Sequence, residues 1–176
     1  MTDLTLLETE RLVMSGWRMD QLDDLVRLHG TEAVARYLSA DGQPWSHDKA
    51  RTALAGWIEL FETRRLGKLR LIRKSDGAFI GRAGYGIYPP TGEPEIGYAL
   101  FEEHHGQGYA TEAAAALRDW IFRETDATHF IGFADTRNAP SLAVLRKIGM
   151  VPTHVDTEPG GLLCQFHVYQ RPAADV

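Results

Sequence analysis

Cysteine is nearly absent. Cys164 is the only one in 176 residues, so no internal disulfide can form, and the chain suits a reducing compartment, the cytoplasm. No apolar run approaches the ~20 residues of a membrane helix, so no membrane partner is expected. Met1 to Arg11 is polar and acidic and lacks the apolar core of a secretory signal. Basic residues are in deficit: 19 Lys and Arg against 24 Asp and Glu leave a net charge of −5. That balance argues against broad nucleic-acid binding and is compatible with a cationic substrate. Metal ligands are scarce as well. His104 and His105 are adjacent, with no companion at ligand spacing, so no metal is expected. Cys164 has no paired His or Asn and reads as a packed strand residue. No repeat, low-complexity tract or long linker divides the chain, so residues 1–176 are expected to form one domain with room for a core.

Periodicity supplies the elements. Arg11 to Trp17 reads as a short strand with Leu12 and Met14 on one face. Asp20 is the expected N-cap of a helix carrying Leu22, Leu25, Val26 and His29, and a second helix covers Glu32 to Leu38. Ser46 is the expected cap of a third, with Ala50, Ala53, Leu54, Trp57, Ile58 and Phe61 on one face. Leu69 to Lys74 and Ala78 to Tyr88 read as a hairpin about "KSDG", and Glu95 to Phe101 as a third strand after "PPTGEP". A helix from Gly108 to Glu124, a strand from His129 to Asp135 and a helix from Pro140 to Ile148, stopped by Gly149, follow. Val151 to Val155 and Leu162 to Tyr169 close the chain. The expected class is α/β (α+β): a mixed, mostly antiparallel sheet of six to seven strands flanked by helices, with one parallel pair across the strand-helix-strand unit.

One stretch stands out: "HHGQGYATEAAAALRDWIF", from His104. Its glycines abut an alanine-rich helix. At a helix start several N–H groups lack intrahelical partners and the dipole is positive, so an anion is well received there. Gly106 and Gly108 let a ligand approach the backbone without a Cβ between them. No Gly-Lys-Ser/Thr follows, which excludes a P-loop, and the third glycine of a dinucleotide fingerprint is missing.

The window from His105 to Ala110 resembles the pyrophosphate-binding signature Gln/Arg-x-x-Gly-x-Gly/Ala of the GCN5-related N-acetyltransferases. "NAPSLAVLRKIGM" (Asn138 to Met150) is similar to that family's downstream Asn-x-x-Ser/Ala helix. "EIGYAL", "GYATEA" and "ETERLVMSGW" resemble the branch of ribosomal-protein N-terminal acetyltransferases. The resemblance implies a GNAT fold over nearly the whole chain and acetyl-CoA as acetyl donor. The acceptor would be a primary amine, either a protein or peptide N-terminus or a small molecule, attacking the thioester directly through a tetrahedral intermediate. Homodimers are common in the family, but nothing in the chain marks an interface. Two further readings stay open: a non-catalytic CoA-binding or sensing module, and an acyltransferase using another acyl-CoA or an oxygen acceptor.

The resemblance also implies roles. Leu100 and Phe101 would lie along the pantetheine arm, and His105, Gly106, Gln107, Gly108, Tyr109, Ala110 and Thr111 at the pyrophosphate. Asn138 and Ser141 would lie near the cofactor. Glu95 is the candidate general base, acting through water, and Ser141 the candidate partner of the leaving thiolate. Tyr37, Trp45, Glu95 and Tyr98 are candidates for the acceptor pocket. Each has a simpler alternative: Glu95 as a surface carboxylate, Ser141 and Asn138 as capping groups, Tyr98 as core on the face opposite Glu95. Two departures from the family pattern are plain. His105 stands where Gln or Arg is usual, and Leu145 stands where many relatives carry a tyrosine acid.

Overall fold

The computed structural model describes residues 3–174; Met1, Thr2, Asp175 and Val176, the ends of the expected 1–176 domain, lie outside them. In chain order the elements are β1 (Thr5–Glu8), β2 (Leu12–Ser15), α1 (Leu22–His29), α2 (Glu32–Leu38), α3 (His47–Arg64), β3 (Gly67–Arg73), β4 (Phe79–Tyr88), β5 (Glu93–Leu100), α4 (Tyr109–Glu124), β6 (His129–Asp135), α5 (Ala139–Lys147), β7 (Val151–Thr157) and β8 (Leu163–Gln170). The strands form one eight-stranded sheet in the order β1-β2-β3-β4-β5-β6-β8-β7. Every neighbouring pair is antiparallel except β5 and β6.

Eight strands exceed the expected six to seven. The extra one is β1, in a stretch read as merely polar and acidic. Its Leu6 and Leu7, with Leu4 before them, pack partly buried against the main core. Three leucines among acids are too short a pattern to register without the partner strand. Asp20 is also not a cap. It lies inside a 3-10 turn, Met19–Gln21, ahead of α1, and its carboxylate meets Arg18 Nε at 3.1 Å. Ser46 does cap α3, its Oγ accepting from the Lys49 N–H at 3.1 Å.

Alternation along the strands gives the sheet two unlike faces. Leu69, Leu71, Ala83, Tyr85 and Ile96 turn one way and are buried against Ala113, Ala114, Leu117 and Ile121 of α4. Each fully buried large side chain there contributes about 1.5–3 kcal/mol. The Tyr85 hydroxyl donates to the Leu117 carbonyl at 3.0 Å and fixes the helix on the sheet. The other face carries Lys68, Arg70, Arg82, Glu95 and Gly97, under α1, α2 and α3. α5 ends at Gly149, whose φ of +93° only glycine adopts without strain. The Met150 N–H then bonds the Leu145 carbonyl at 3.1 Å and the chain turns back into the core.

What positions the site is a divergence. β5 and β6 pair only at Glu95–Ile131 and Ile96–Gly132. Beyond that, β5 keeps pairing with β4 as far as Leu100, while β6 follows β8 as far as Asp135. A gap therefore opens between Gly97–Leu100 and Phe133–Asp135, and α4 begins beside it.

Candidate active site

The antiparallel ladder decides which backbone groups face the gap. The Phe101 N–H donates to the Ile80 carbonyl at 3.1 Å. By alternation, the groups of Leu100, and those of Tyr98 two residues earlier, then point away from β4 and into the opening. Of the two residues expected along the arm, Leu100 offers its N–H to the gap, as does Tyr98. Phe101 has its N–H engaged with β4 and its ring buried with Leu28, Val34 and Ala99.

At the gap's end, Gly106 (φ +70°) and Gly108 (φ +82°) adopt left-handed conformations that bend the chain into α4. Among the described residues, the N–H groups from Gly106 to Thr111 find no hydrogen-bond acceptor. His105 contributes neither of its donors: its N–H goes to the Glu102 carbonyl, and its ring Nε2 lies 2.9 Å from the Leu100 carbonyl. A carbonyl only accepts, so that ring nitrogen carries its proton there. Gly106 faces open space, with nothing within 4 Å of a built Cβ. The loop thus presents converging donors at a positive helix end, an arrangement that fits a pyrophosphate.

The loop is braced by a residue the sequence did not single out. Arg11, just before β2, donates through Nη1 to the Gln107 carbonyl at 2.9 Å and through Nε to Glu112 at 2.7 Å. Its guanidinium lies over the Tyr109 ring, 4.3 Å from the centroid. Carbonyl and N–H point oppositely across one trans peptide. Holding the Gln107 carbonyl inward therefore aims the Gly108 N–H outward.

Across the gap, Asn138 caps α5, its Oδ1 accepting from the Ser141 N–H at 3.3 Å. The Tyr98 hydroxyl donates to the Ser141 carbonyl at 2.8 Å and lies 3.2 Å from Ser141 Oγ. Burial pushes the Tyr98 phenol up, against a smaller opposing effect from Ser141. Tyr98 lies on the face of Ile96, opposite the Glu95 side chain. Leu145 is buried in the core, at the inner wall of the adjacent cleft.

The remaining wall is polar and buried. A cleft of about 200 Å³ is lined by Tyr37, Lys68, Arg82, Glu95, Tyr98 and Ser141, among others. Glu95 Oε2 accepts from Lys68 Nζ at 2.9 Å, with side chains 17% and 9% exposed. Lys68 also donates to the carbonyls of Gly84 and Glu95, and burial pulls its ammonium pKa down. Glycine makes this possible: a Cβ at Gly97 would sit 2.6 Å from Lys68 Nζ. Cys164 also lines the cleft, and burial, then nearby Glu158, Asp135 and Glu95, pushes its thiol up to about 12, so it is no thiolate nucleophile. A larger depression of about 590 Å³ lies at the other end of β6, beside Arg64, Glu93 and His129, away from the gap and its free donors.

Tyr37 reaches the cleft but Trp45 does not. Trp45 stacks on buried His29 at 3.7 Å instead, against the cluster of Trp17, Leu25 and Leu54. Burial, then the charges of Arg82 and Lys49, drives the His29 pKa from 6.5 down to about 2. The unfolded chain gains a proton near pH 6.5 that the folded chain refuses. This residue's contribution to stability is therefore full above pH 6.5 and falls by about 1.4 kcal/mol per unit as the pH drops. Urea unfolding between pH 7 and pH 5 should show that slope, and His29→Gln should flatten it. Identical slopes in both proteins would refute the assignment.

Lys68, Arg82, His29 and Arg11 were the residues the sequence reading missed. A signal existed for two of them: Arg82 is the single charge of β4 and lies between glycines, and Lys68 alternates with the leucines of β3 beside Gly67. His29 and Arg11 carried none, because their partners lie far along the chain.

Comparison with known proteins bears on this geometry. The acetyltransferase (GNAT) domain family matches residues 11–151. A Bacillus licheniformis protein named as the uncharacterized N-acetyltransferase p20 is 26% identical over 144 residues, covering 81% of this chain and 80% of its own. Among solved structures, an acetyltransferase from Agrobacterium tumefaciens superposes with a TM-score of 0.80 at 24% identity, covering 94% of each chain. RimL, a ribosomal L7/L12 α-N-protein acetyltransferase in complex with coenzyme A, superposes with a TM-score of 0.78 at 18% identity, covering 94% of this chain and 97% of its own.

Proposed function

Because the chain belongs to the GNAT acetyltransferase family and is an acyltransferase, we propose that it moves acetyl from acetyl-CoA to a primary amine, with both bound side by side. The observation that carries this reading is the run of unengaged N–H groups from Gly106 to Thr111, set against the gap between β5 and β6.

The residues fit the donor. Gly106 to Thr111 would hold the pyrophosphate, and the N–H groups of Tyr98 and Leu100 would line the pantetheine and thioester, with Asn138 and Ser141 opposite. When bound, the thioester supplies an activated acetyl group. Glu95 takes a proton from the ammonium through water, using the carboxylate oxygen that Lys68 leaves free. The N–H groups aimed into the gap stabilise negative charge developing on the carbonyl oxygen. As the intermediate collapses, the nitrogen gives up its second proton, and Ser141, hydrogen-bonded to Tyr98, relays a proton to the departing sulfur and takes that one in exchange; Leu145, buried and apolar, has no part in that step. Much of the rate comes from holding donor and amine together, so a strong base is not required. Protein N-termini and small-molecule amines are both acceptors of this chemistry. RimL, whose fold this chain shares, acts on a ribosomal protein N-terminus.

Calorimetric titration with acetyl-CoA, followed by CoA release over a panel of N-terminal peptides and small amines, tests the reading. Micromolar binding with turnover on one amine class is expected. Failure to bind acetyl-CoA would reduce the glycines to an ordinary loop end.

A further inference from the structure

Four charged groups besides Arg82 line the cleft: Lys68, Glu95, Asp135 and Glu158. Asp135 is paired with Arg137, and the Glu158 carboxylate accepts from the Gly160 and Leu162 N–H groups. Arg82 is left without an ion-pair partner among the described residues. Lys68 and Glu95 neutralise each other in their ion pair. His29 is neutral and accepts from Arg82 Nε at 3.0 Å, so it adds no counter-charge. Arg70 has its own acid, Asp24. Arg82 has none: it is 5% exposed, and among the described residues no carboxylate reaches ion-pair distance of it. Its guanidinium lies over Trp57, 5.2 Å from the ring centroid. The bond to His29 is the one hydrogen bond that its side chain makes among the described residues. Both Nη nitrogens are left over. They are not sealed in the interior, and the residue lines the cleft near Glu95, Gly97 and Tyr98.

Leaving a cation in this position is costly unless something satisfies it, because burial removes its water. The burial is deep enough to pull the arginine down to about 10, partly offset by the charge of Glu95. A planar fork with two free nitrogens matches a carboxylate in bidentate geometry. The amine must come near Glu95 to lose its proton, and Arg82 shares that small cleft.

We propose that Arg82 anchors a carboxylate carried by the acceptor, so that the enzyme acetylates amines bearing a carboxylate close to the amino group. This rests on the transferase reading above. The carboxylate can belong to a free amino acid or to an acidic side chain at a peptide N-terminus, and both present the same group to the fork.

The test uses matched pairs at saturating acetyl-CoA, followed by CoA release. One set compares amino acids with their amides. The other compares peptides starting with Asp or Glu with those starting with Asn or Gln. In at least one set the acid should exceed its neutral partner by about tenfold or more in kcat/KM, as expected for a charged hydrogen bond. The set that shows the difference names the source. In Arg82→Gln the ratio should fall to about one, and Arg82→Lys, which keeps the charge without the fork, should retain part of it. Turnover of amines with equal rates for acid and amide in the wild type overturns the proposal and leaves the transferase reading standing. If no amine turns over, the transferase reading fails, and thermal melting decides on Arg82 alone. Glycine and malonate should then raise the melting temperature of the wild type more than glycinamide and malonamide do, with no such difference in Arg82→Gln. Equal shifts in the wild type overturn the anchor.

Discussion

Gly108→Trp is expected to weaken acetyl-CoA binding about a hundredfold, roughly 2.7 kcal/mol, while the chain stays folded. Gly108 sits at φ +82° as the residue before α4, where an L-residue costs about 1–2 kcal/mol of stability. A Cβ there would lie 3.3 Å from Arg11 Nη2. An indole must therefore either swing over the free N–H groups or push Arg11 off the Gln107 carbonyl, and each course disarms the loop. Gly106→Ala separates strain from obstruction. Gly106 is also left-handed, at φ +70°, but its Cβ would face open space. That variant should lose comparable stability and keep most of its affinity. Calorimetry with acetyl-CoA, alongside urea unfolding of the three proteins, reads both quantities. Unchanged affinity in Gly108→Trp would remove the pyrophosphate from this loop.

Lys68→Met is expected to cost the fold about 3–5 kcal/mol, the usual penalty for removing one partner of a buried ion pair. Both side chains are well under a third exposed, so solvent screens the pair little. The variant leaves the Glu95 carboxylate inside without a cation and the Gly84 carbonyl without its donor. The double variant Lys68→Met/Glu95→Gln removes both charges and should recover a large part of the loss. Denaturant midpoints at unchanged m-value measure both. Glu95→Gln alone keeps an oxygen that can accept from Lys68 Nζ and should fold, at reduced stability because the buried ammonium loses its counter-charge. It should bind acetyl-CoA yet lose most of kcat, because an amide cannot take the proton from the amine. Full activity in Glu95→Gln would transfer the base role to water or to another group. A loss below about 1 kcal/mol in Lys68→Met would mean that the pair is effectively solvated.

Most of the strand and helix pattern was legible because it depends on neighbours in the chain. Leu12 and Met14 in β2, the "KSDG" hairpin, Ser46 before α3 and Gly149 after α5 each follow from alternation, turn chemistry or capping within a few residues. β1 escaped because its leucines have meaning only beside β2. The site divides along the same line. Gly106, Gly108 and the helix behind them form a local pattern of free N–H groups at a helix start, readable in one window. The side that Trp45 takes was not legible, because a Pro/Gly loop does not specify which way its aromatic will turn; it stacks on His29 beside the apolar cluster and does not line the cleft.

The sequence alone thus determined the order of the elements from β2 onward and the glycine-opened helix, which rest on short-range periodicity and backbone freedom, while the family entered through the resemblance of its motifs. Only the tertiary structure decided that Tyr98 rather than Phe101 faces the gap, that Arg11 braces a loop almost a hundred residues away, and that Lys68, Glu95, Arg82 and His29 share one buried cluster. Those outcomes depend on strand register and on the balance of charge after burial. A pattern along the chain does not encode either, since each is a property of side chains that meet only when the sheet closes.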